Sequence, residues 1–248
     1  MTHPLKPDHR TNRLLRALTP DDYALLEPHL DAVAWRRGQV LYDAGDVISH
    51  AYFPHDTFVS LVTVLENGET VEMAGFGREG VFGLSSALFS RRTLGRYRVQ
   101  VDGTAARVSL GRLHALMDAR PDARGLLQRY GEVLIRQTFR TVACNAVHSV
   151  EARCCRWILS MHDRVDSDVL PLTHEIMAEM LGVQRSTVTT ATGCLQGAGL
   201  ISQRRGFIVL TDRPGLQAIT CECYRRIRGI YEELLPITFA GPCASDAT

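Results

Sequence analysis

The hydrophobic and polar positions of this chain change their period twice, and the first region shows short alternating runs. From about residue 33 to residue 110, apolar runs are separated by glycine turns, and Asn67-Gly68 is a pair typical of tight hairpins. Short strands at such regular spacing predict a small barrel or jelly roll. The predicted strands are Val40–Tyr42, Ala51–Phe53, Val59–Leu65, Thr70–Ala74, Tyr97–Val101 and Ala106–Val108.

Helices are predicted on both sides of this region. Thr19-Pro20 is a cap followed by proline at the first helical position, which predicts a short helix before the strands. From about Pro121 to Val147, apolar residues recur every three to four positions and predict one long amphipathic helix. Further helices are expected at Glu151–Arg164 and at about Leu216–Leu235.

The most specific pattern lies between Leu172 and Leu210. Thr173 is a good N-cap, Ala178 stands where two steeply crossing helices would touch, and Gly182 stands where their turn needs a positive φ. The small shared core would contain Met177, Leu181, Val183 and Val188. Two β-rich runs around Arg204-Arg205-Gly206 then predict a hairpin. Together these features predict a helix-turn-helix followed by a wing.

The second helix of that pair, from about Gln184 to Leu195, is predicted to read DNA. Its exposed side chains belong to the types that reach base edges in the major groove, namely Arg185, Ser186, Thr189 and Thr190. Phosphate contacts are expected from Thr173, Gln184, Thr187, Arg204 and Arg205. A small helical subdomain with a solvated surface is the alternative, but it needs neither this cluster nor a twin-arginine hairpin.

Composition limits the possibilities without deciding between them. A chain of 248 residues with 45% hydrophobic content can bury one large or two modest cores. Its net charge of +1 means that DNA affinity has to come from local clustering, as between Gln184 and Arg213, where four arginines face a single acid, Asp212. The chain has no run of 18 apolar residues and no apolar N-terminal segment, so we expect a cytoplasmic protein without a membrane partner.

The seven cysteines do not follow a recognisable metal-binding pattern. None is spaced as Cys-x-x-Cys, and no histidine pair completes a zinc motif. Cys221 and Cys223 fall on a predicted helix, where residues two apart point to different sides and chelate poorly. We therefore expect free thiols, no metal and no cofactor, with a redox role of adjacent Cys154 and Cys155 left open.

The order of barrel, long helix and winged helix-turn-helix resembles the Crp/Fnr superfamily of bacterial transcription regulators over roughly residues 14–212. The sharpest similarity is Thr173–Val188 followed by Leu195–Ile201, while Leu41–Asp46 resembles the family's Gly-Asp turn. Arg185 matches its reading-helix arginine. Glu69–Met73 and Gly80–Gly83 resemble the approach to its effector cassette. The resemblance implies an α+β protein with an N-terminal cyclic-nucleotide-binding-like jelly roll, a dimerisation helix and a C-terminal winged helix-turn-helix.

The resemblance also implies a domain division and partners. The expected division is a flexible tail over 1–12, a sensor-like barrel over 13–120, the dimerisation helix over 121–147, the DNA-binding domain over 148–235 and a flexible tail over 236–248. The dimer contact along the long helix is expected from Leu127, Tyr130, Leu134 and Thr138. The implied partners are a second copy of the chain, a palindromic double-stranded DNA site and RNA polymerase.

The effector cassette departs from the family's nucleotide-binding pattern. Cyclic-nucleotide binders carry Phe-Gly-Glu-Leu, whose glutamate meets the ribose, and an arginine followed by serine or threonine for the phosphate. The corresponding positions here are Phe82, Gly83, Leu84, Ser85, Arg96 and Arg98, without that carboxylate or that hydroxyl. We expect an apolar or non-nucleotide effector, or none.

The sequence therefore predicts a homodimeric, non-enzymatic transcription regulator with a degenerate cassette. A cyclic-nucleotide-gated regulator remains an alternative, and so does a metal enzyme in a jelly roll, although His50 and His55 are isolated. Because no cysteine precedes Cys144, the N-terminal iron–sulfur cluster of the oxygen-sensing branch is excluded. His50, His55 or His114 could offer a haem ligand, and an ordinary surface or loop role is the simpler interpretation.

Overall fold

The computed structural model describes residues 8–84, 91–165 and 167–236. Its strands are β1 Asp31–Trp35, β2 Val40–Tyr42, β3 His50–Pro54, β4 Phe58–Val64, β5 Thr70–Phe76, β6 Arg96–Val101, β7 Gly103–Ser109, β8 Val169–Leu170, β9 Ile201–Arg204 and β10 Phe207–Leu210. Its α-helices are α1 Arg13–Arg16, α2 Pro20–Leu26, α3 Leu110–Ala119, α4 Pro121–Val147, α5 Val150–Val165, α6 His174–Leu181, α7 Arg185–Gly197, α8 Arg213–Ile219 and α9 Cys223–Leu234. This mixed helix and sheet architecture confirms the predicted fold class.

Two antiparallel sheets form the N-terminal β domain, with strand orders β1-β7-β3 and β2-β6-β4-β5. Buried side chains of both sheets belong to one core, and aromatic rings occupy much of it. Phe82 stacks on Tyr52 and on Tyr97, at centroid distances of 4.9 and 5.0 Å. All six predicted strands are present, whereas β1 and α3 were missed. In β1 only Trp35 is fully buried, so the hydrophobic alternation that marks a strand is weak there.

The chain is ordered before the predicted start of the barrel. His9–Thr11 forms a 3₁₀ turn, and Asn12 is completely buried. The Asn12 amide donates to the carbonyls of Pro54 and Gly80, both at 2.9 Å, while its Oδ1 accepts from the first turn of α1. The expected loose tail is therefore wrong for residues 8–12, and residues 1–7 and 237–248 of the two expected tails lie outside the described residues.

The expected single C-terminal helix is two helices. Asp212 Oδ1 accepts from Gly215 N at the start of α8, and the extended backbone of Thr220 ends that helix. The chain then turns through Cys221 into α9. Cys221 thus lies in the bend and Cys223 is the first residue of α9, so the geometric objection to two cysteines chelating from inside one helix does not apply.

The long helix α4 buries residues that were expected at a dimer contact. Tyr130 is fully buried and Leu127 is 2% exposed, both within the core of their own chain. The Tyr130 ring lies so close to Gly80 that a Cβ added there would overlap its hydroxyl. Leu134 is half-buried against the same core and Thr138 is half-buried. The expected seam is therefore wrong for Leu127 and Tyr130, because an apolar stripe does not reveal which partner covers it.

The C-terminal half contacts the β domain through polar side chains as well as apolar ones. Arg164 of α5 forms a 2.6 Å ion pair with Glu79, and both side chains are at most 4% exposed. The carboxylate of Glu72 accepts from the Trp157 indole at 2.6 Å. Arg98 on β6 pairs with Glu179 on α6, also at 2.6 Å. These three contacts fix α5 and α6 against β5 and β6, and thereby position the helix-turn-helix.

Candidate nucleic-acid interface

The helix-turn-helix consists of α6 and α7, and its turn has the predicted chemistry. Thr173 Oγ1 accepts from Ile176 N at 3.2 Å, which caps α6. Gly182 ends that helix in the left-handed region with φ of 63°, and Val183 N then donates to the Ala178 carbonyl at 3.1 Å. The small core predicted between the helices is buried, with Val183 packed at its edge.

The outward face of α7 carries most of the predicted DNA contacts. The exposed residues are Gln184, Arg185, Ser186, Thr187, Thr189 and Thr190. Val188, Ala191 and Leu195 on the other face are buried against α5 and α6. The exposed polar groups of α7 therefore lie away from α5 and α6, which is the arrangement that a helix needs to enter a major groove.

Hydroxyl groups on α7 already make hydrogen bonds inside the helix. Thr189 Oγ1 donates to the Arg185 carbonyl at 3.0 Å, and Thr190 Oγ1 donates to the Ser186 carbonyl at 3.2 Å. With its hydrogen directed at the backbone, the Thr190 hydroxyl oxygen presents lone pairs outward, whereas the Thr189 oxygen also contacts His174. Such a group suits the amino donors of adenine and cytosine in the major groove.

Arg185 forms an ion pair with Glu175 of α6, with 2.9 Å between Nε and Oε1. Hydrogen bonds from the Glu175 backbone N–H and the Thr173 hydroxyl, together with the Arg185 charge, lower the pKa of Glu175. Both side chains are more than half exposed, so solvent and salt screen this pair and it contributes little to stability. A contact this weak leaves Arg185 available to a guanine. Thr173, which was expected to contact phosphate, uses its side chain to cap α6.

His174 joins the three parts of this unit, and sequence reasoning missed it. Its Nδ1 lies 3.0 Å from Thr189 Oγ1 on α7, and its Nε2 lies 2.6 Å from Gln203 Oε1 on β9. A further contact of 3.2 Å connects Nε2 with Thr192 Oγ1. A histidine directly after the cap of the first helix was the only available signal.

The wing is the hairpin of β9 and β10, in which Arg204 pairs with Phe207. Gly206 adopts a φ of 83° in its turn, a conformation that favours glycine. Arg204 and Arg205 are both exposed at this tip, where they can contact phosphate, and are called the wing arginines below. The short strand β8 pairs with β10 and extends the hairpin to a three-stranded sheet.

The cassette residues that the structure describes do not form a polar site. Phe82 and Leu84 are each 1% exposed and belong to the aromatic core, while Gly83 has a φ of 88°. Arg96 pairs with Asp43 at 2.6 Å, and Arg98 reaches the helix-turn-helix instead. Ser85 lies outside the described residues.

The candidate haem ligands have ordinary surroundings. His55 is buried beside His9, with 3.2 Å between ring nitrogens, and burial lowers the pKa of His55 to about 4. Burial likewise lowers the pKa of His50.

Burial raises the pKa of the Cys154 and Cys155 thiols to about 12, so neither is a reactive thiolate near neutral pH.

Two family models match the chain in the predicted order. Residues 32–120 match the cyclic nucleotide-binding domain, and residues 152–219 match the Crp-like helix-turn-helix domain. No curated protein matches the chain. Within the described residues, no helix is both long and apolar enough to span a bilayer.

Solved structures share the fold at low sequence identity. FixK2 from Bradyrhizobium japonicum is 16% identical with a TM-score of 0.66, and the alignment covers 77% of this chain and 98% of FixK2. A CRP-family regulator of Thermus thermophilus is 18% identical with a TM-score of 0.64, covering 75% of this chain and 95% of that regulator. The cyclic-di-GMP-responsive regulator CLP of Xanthomonas campestris is 17% identical with a TM-score of 0.62, and the alignment covers 77% of this chain and 99% of CLP.

Proposed function

Because the chain belongs to the Crp/Fnr superfamily of transcription regulators, we propose that it binds a palindromic DNA site as a homodimer. The exposed polar face of α7, with Arg185 near its first turn, carries this proposal. The wing arginines supply the phosphate contacts beside it. RNA polymerase is the protein that such a dimer would recruit or exclude, and the cytoplasm is where both would meet the chromosome.

A stripe on α4 supplies a surface for a second copy. Ile135, Phe139 and Val142 are 55%, 71% and 64% exposed, and Ala146 follows on the same face. Their spacing of four, three and four residues is that of a coiled-coil seam. Contiguous exposed apolar residues of this kind mark interaction surfaces. The dimer seam that we propose therefore lies on a different face of α4 from Leu127 and Tyr130.

The barrel is proposed to work without a cyclic nucleotide. Phe82 and its stacked tyrosines occupy the interior, and Leu84 offers no acceptor for a ribose hydroxyl. Both cassette arginines are already paired with carboxylates. An effector of other chemistry, or none, fits these residues better.

Selection of bound sequences from a random DNA pool tests the function directly. The full chain should enrich a palindrome whose half-sites are about 34 Å apart, one helical turn. Arg185→Ala should cost about 1–3 kcal/mol per half-site and relax the preference at one base pair. Changing the wing arginines to alanine should weaken binding to all sequences and flatten the salt dependence.

Arg112→Ala is the matched control, because Arg112 is an exposed arginine on α3, far along the chain from the reading helix. It should leave both affinity and base preference unchanged. A pool that shows no enriched sequence would overturn the proposed function. An Arg185→Ala variant with full base preference would overturn the assignment of α7 as the reading helix.

A further inference from the structure

Four side chains that can bind a metal meet where α4 ends, and they come from two segments that are far apart in sequence. Cys144 lies in the last turn of α4, and His148 follows one turn later, with its backbone N–H donating to the Cys144 carbonyl at 3.1 Å. Cys221 and Cys223 come from the bend between α8 and α9. The three sulfur atoms and a His148 ring nitrogen all lie within 4.8 Å of one another.

The distances within this cluster approach those of a tetrahedral metal site. Cys144 Sγ lies 3.6 Å from Cys221 Sγ, and Cys223 Sγ lies 3.8 Å from His148 Nδ1. Zinc bonds of about 2.3 Å to sulfur and about 2.0 Å to nitrogen place neighbouring ligand atoms roughly 3.5–3.8 Å apart in a tetrahedron. The remaining pairs of ligand atoms lie within 4.8 Å, so they would have to approach by at most about 1 Å to surround one ion.

The second nitrogen of His148 is oriented as in known zinc sites. Its Nε2 lies 3.1 Å from Glu222 Oε2, so the ring can donate to that carboxylate while Nδ1 faces the sulfur atoms. A carboxylate that accepts from the far nitrogen of a ligating histidine fixes its tautomer and raises its basicity. Glu222 lies between the two cysteines in sequence, so one short segment supplies two ligands and this supporting carboxylate.

Charge around the cluster favours bound thiolates. Three thiolates and one divalent cation leave a net charge of −1, and the guanidinium groups of Arg153 and Arg156 lie nearby, each at most 7% exposed. The surroundings thus suit a Cys₃His site of low net charge, of the type that holds structural zinc.

We propose that Cys144, His148, Cys221 and Cys223 bind one zinc ion that joins the end of α4 to the α8–α9 bend. A disulfide between Cys144 and Cys221 is the competing use of these atoms. It would leave Cys223, His148 and the orienting carboxylate of Glu222 without a shared role. The metal uses all five groups, and it connects the C-terminal end of the DNA-binding unit to the long helix.

The test is cobalt and zinc binding by the reduced full chain. Titration of the metal-free chain with Co²⁺ should give sulfur-to-cobalt charge transfer and the intense visible bands of tetrahedral coordination, saturating at one ion per chain. Zinc should displace the cobalt and abolish the bands. Mass spectrometry of elements should find one zinc per chain after purification without chelators.

Variants assign the ligands. Cys221→Ser and His148→Gln should abolish the tetrahedral spectrum, and Glu222→Gln should keep the spectrum but weaken metal affinity about 10–100-fold. Cys194→Ser is the matched control, because Cys194 is an exposed cysteine outside the cluster, and it should bind metal normally. The spectrum of the unaltered chain reports the ligand set even where a variant fails to fold. A chain without tetrahedral cobalt bands, a Cys221→Ser variant that retains them, or a Cys144–Cys221 disulfide in the metal-free protein as purified would overturn the proposal.

Discussion

Breaking the buried ion pair between Glu79 and Arg164 should destabilise the whole chain strongly. Arg164 Nε donates to Glu79 at 2.6 Å, and the same guanidinium reaches the Ser160 carbonyl at 2.7 Å and Gln137 Oε1 at 3.5 Å. One side chain thus connects α5, α4 and the β domain. Since Glu79 is completely buried, Arg164→Met would leave a carboxylate without its cation.

An uncompensated buried charge of this kind costs about 3–5 kcal/mol. For a chain of this size that corresponds to a drop in Tm of about 6–20 °C, measured by thermal or urea denaturation. The double variant Glu79→Leu with Arg164→Met should regain most of the loss, because two apolar side chains need no partner. Arg136→Met is the control, since its pairs with Glu132 and Glu233 are largely exposed and their loss should cost under about 1 kcal/mol. The reasoning is refuted if Arg164→Met costs no more than the control, or if the double variant loses the sum of both single effects.

Three further predictions concern the dimer, the pH dependence and the effector. Phe139→Glu should give a folded monomer by sedimentation and should bind the operator with much-reduced affinity. Leu25→Glu, at an exposed apolar site on α2, is the control and should stay dimeric. A Phe139→Glu chain that is still dimeric would disprove the seam. Because burial holds the pKa of His55 at about 4 against 6.5 when unfolded, the unfolded chain binds more protons between these values. Stability should then fall as pH drops from 6.5 to 4, and His55→Asn should remove that part of the slope. Calorimetry should detect no binding of cyclic AMP or cyclic GMP at micromolar concentration, since an unpaired ribose hydroxyl costs about 1–3 kcal/mol; a micromolar isotherm would contradict this.

Features set by local chemistry were predictable from the sequence. Thr19 and Thr173 are N-caps in the structure as expected, because capping depends on the few residues that follow. The strand Val40–Tyr42 has the predicted bounds, and Gly182 has the predicted positive φ. The exposed face of α7 also followed from its period alone.

Features set by distant partners were not predictable. The period of α4 shows that it has apolar faces, but only the tertiary structure shows that Tyr130 packs within its own chain while Phe139 is exposed. The cysteine and histidine cluster joins two segments that are far apart in the chain, and the expectation of one helix over Cys221 and Cys223 concealed the bend that brings them together. The contact of His174 with Gln203 likewise joins two segments that are apart in sequence, because Gln203 lies on β9 of the wing.

The position of Arg98 connects the degenerate cassette with the DNA-binding unit. By resemblance, an arginine in this stretch would face the phosphate of a cyclic nucleotide. Here Arg98 forms its 2.6 Å pair with Glu179 on the first helix of the helix-turn-helix, and Gln100, two residues further along β6, contacts Met180 on the same helix. Side chains alternate along a strand, so Arg98 lies on the face of β6 opposite to Tyr97 and Val99, which are buried in the core of the β domain. The orientation of β6 thus directs Arg98 to the helix-turn-helix and away from the interior of the β domain.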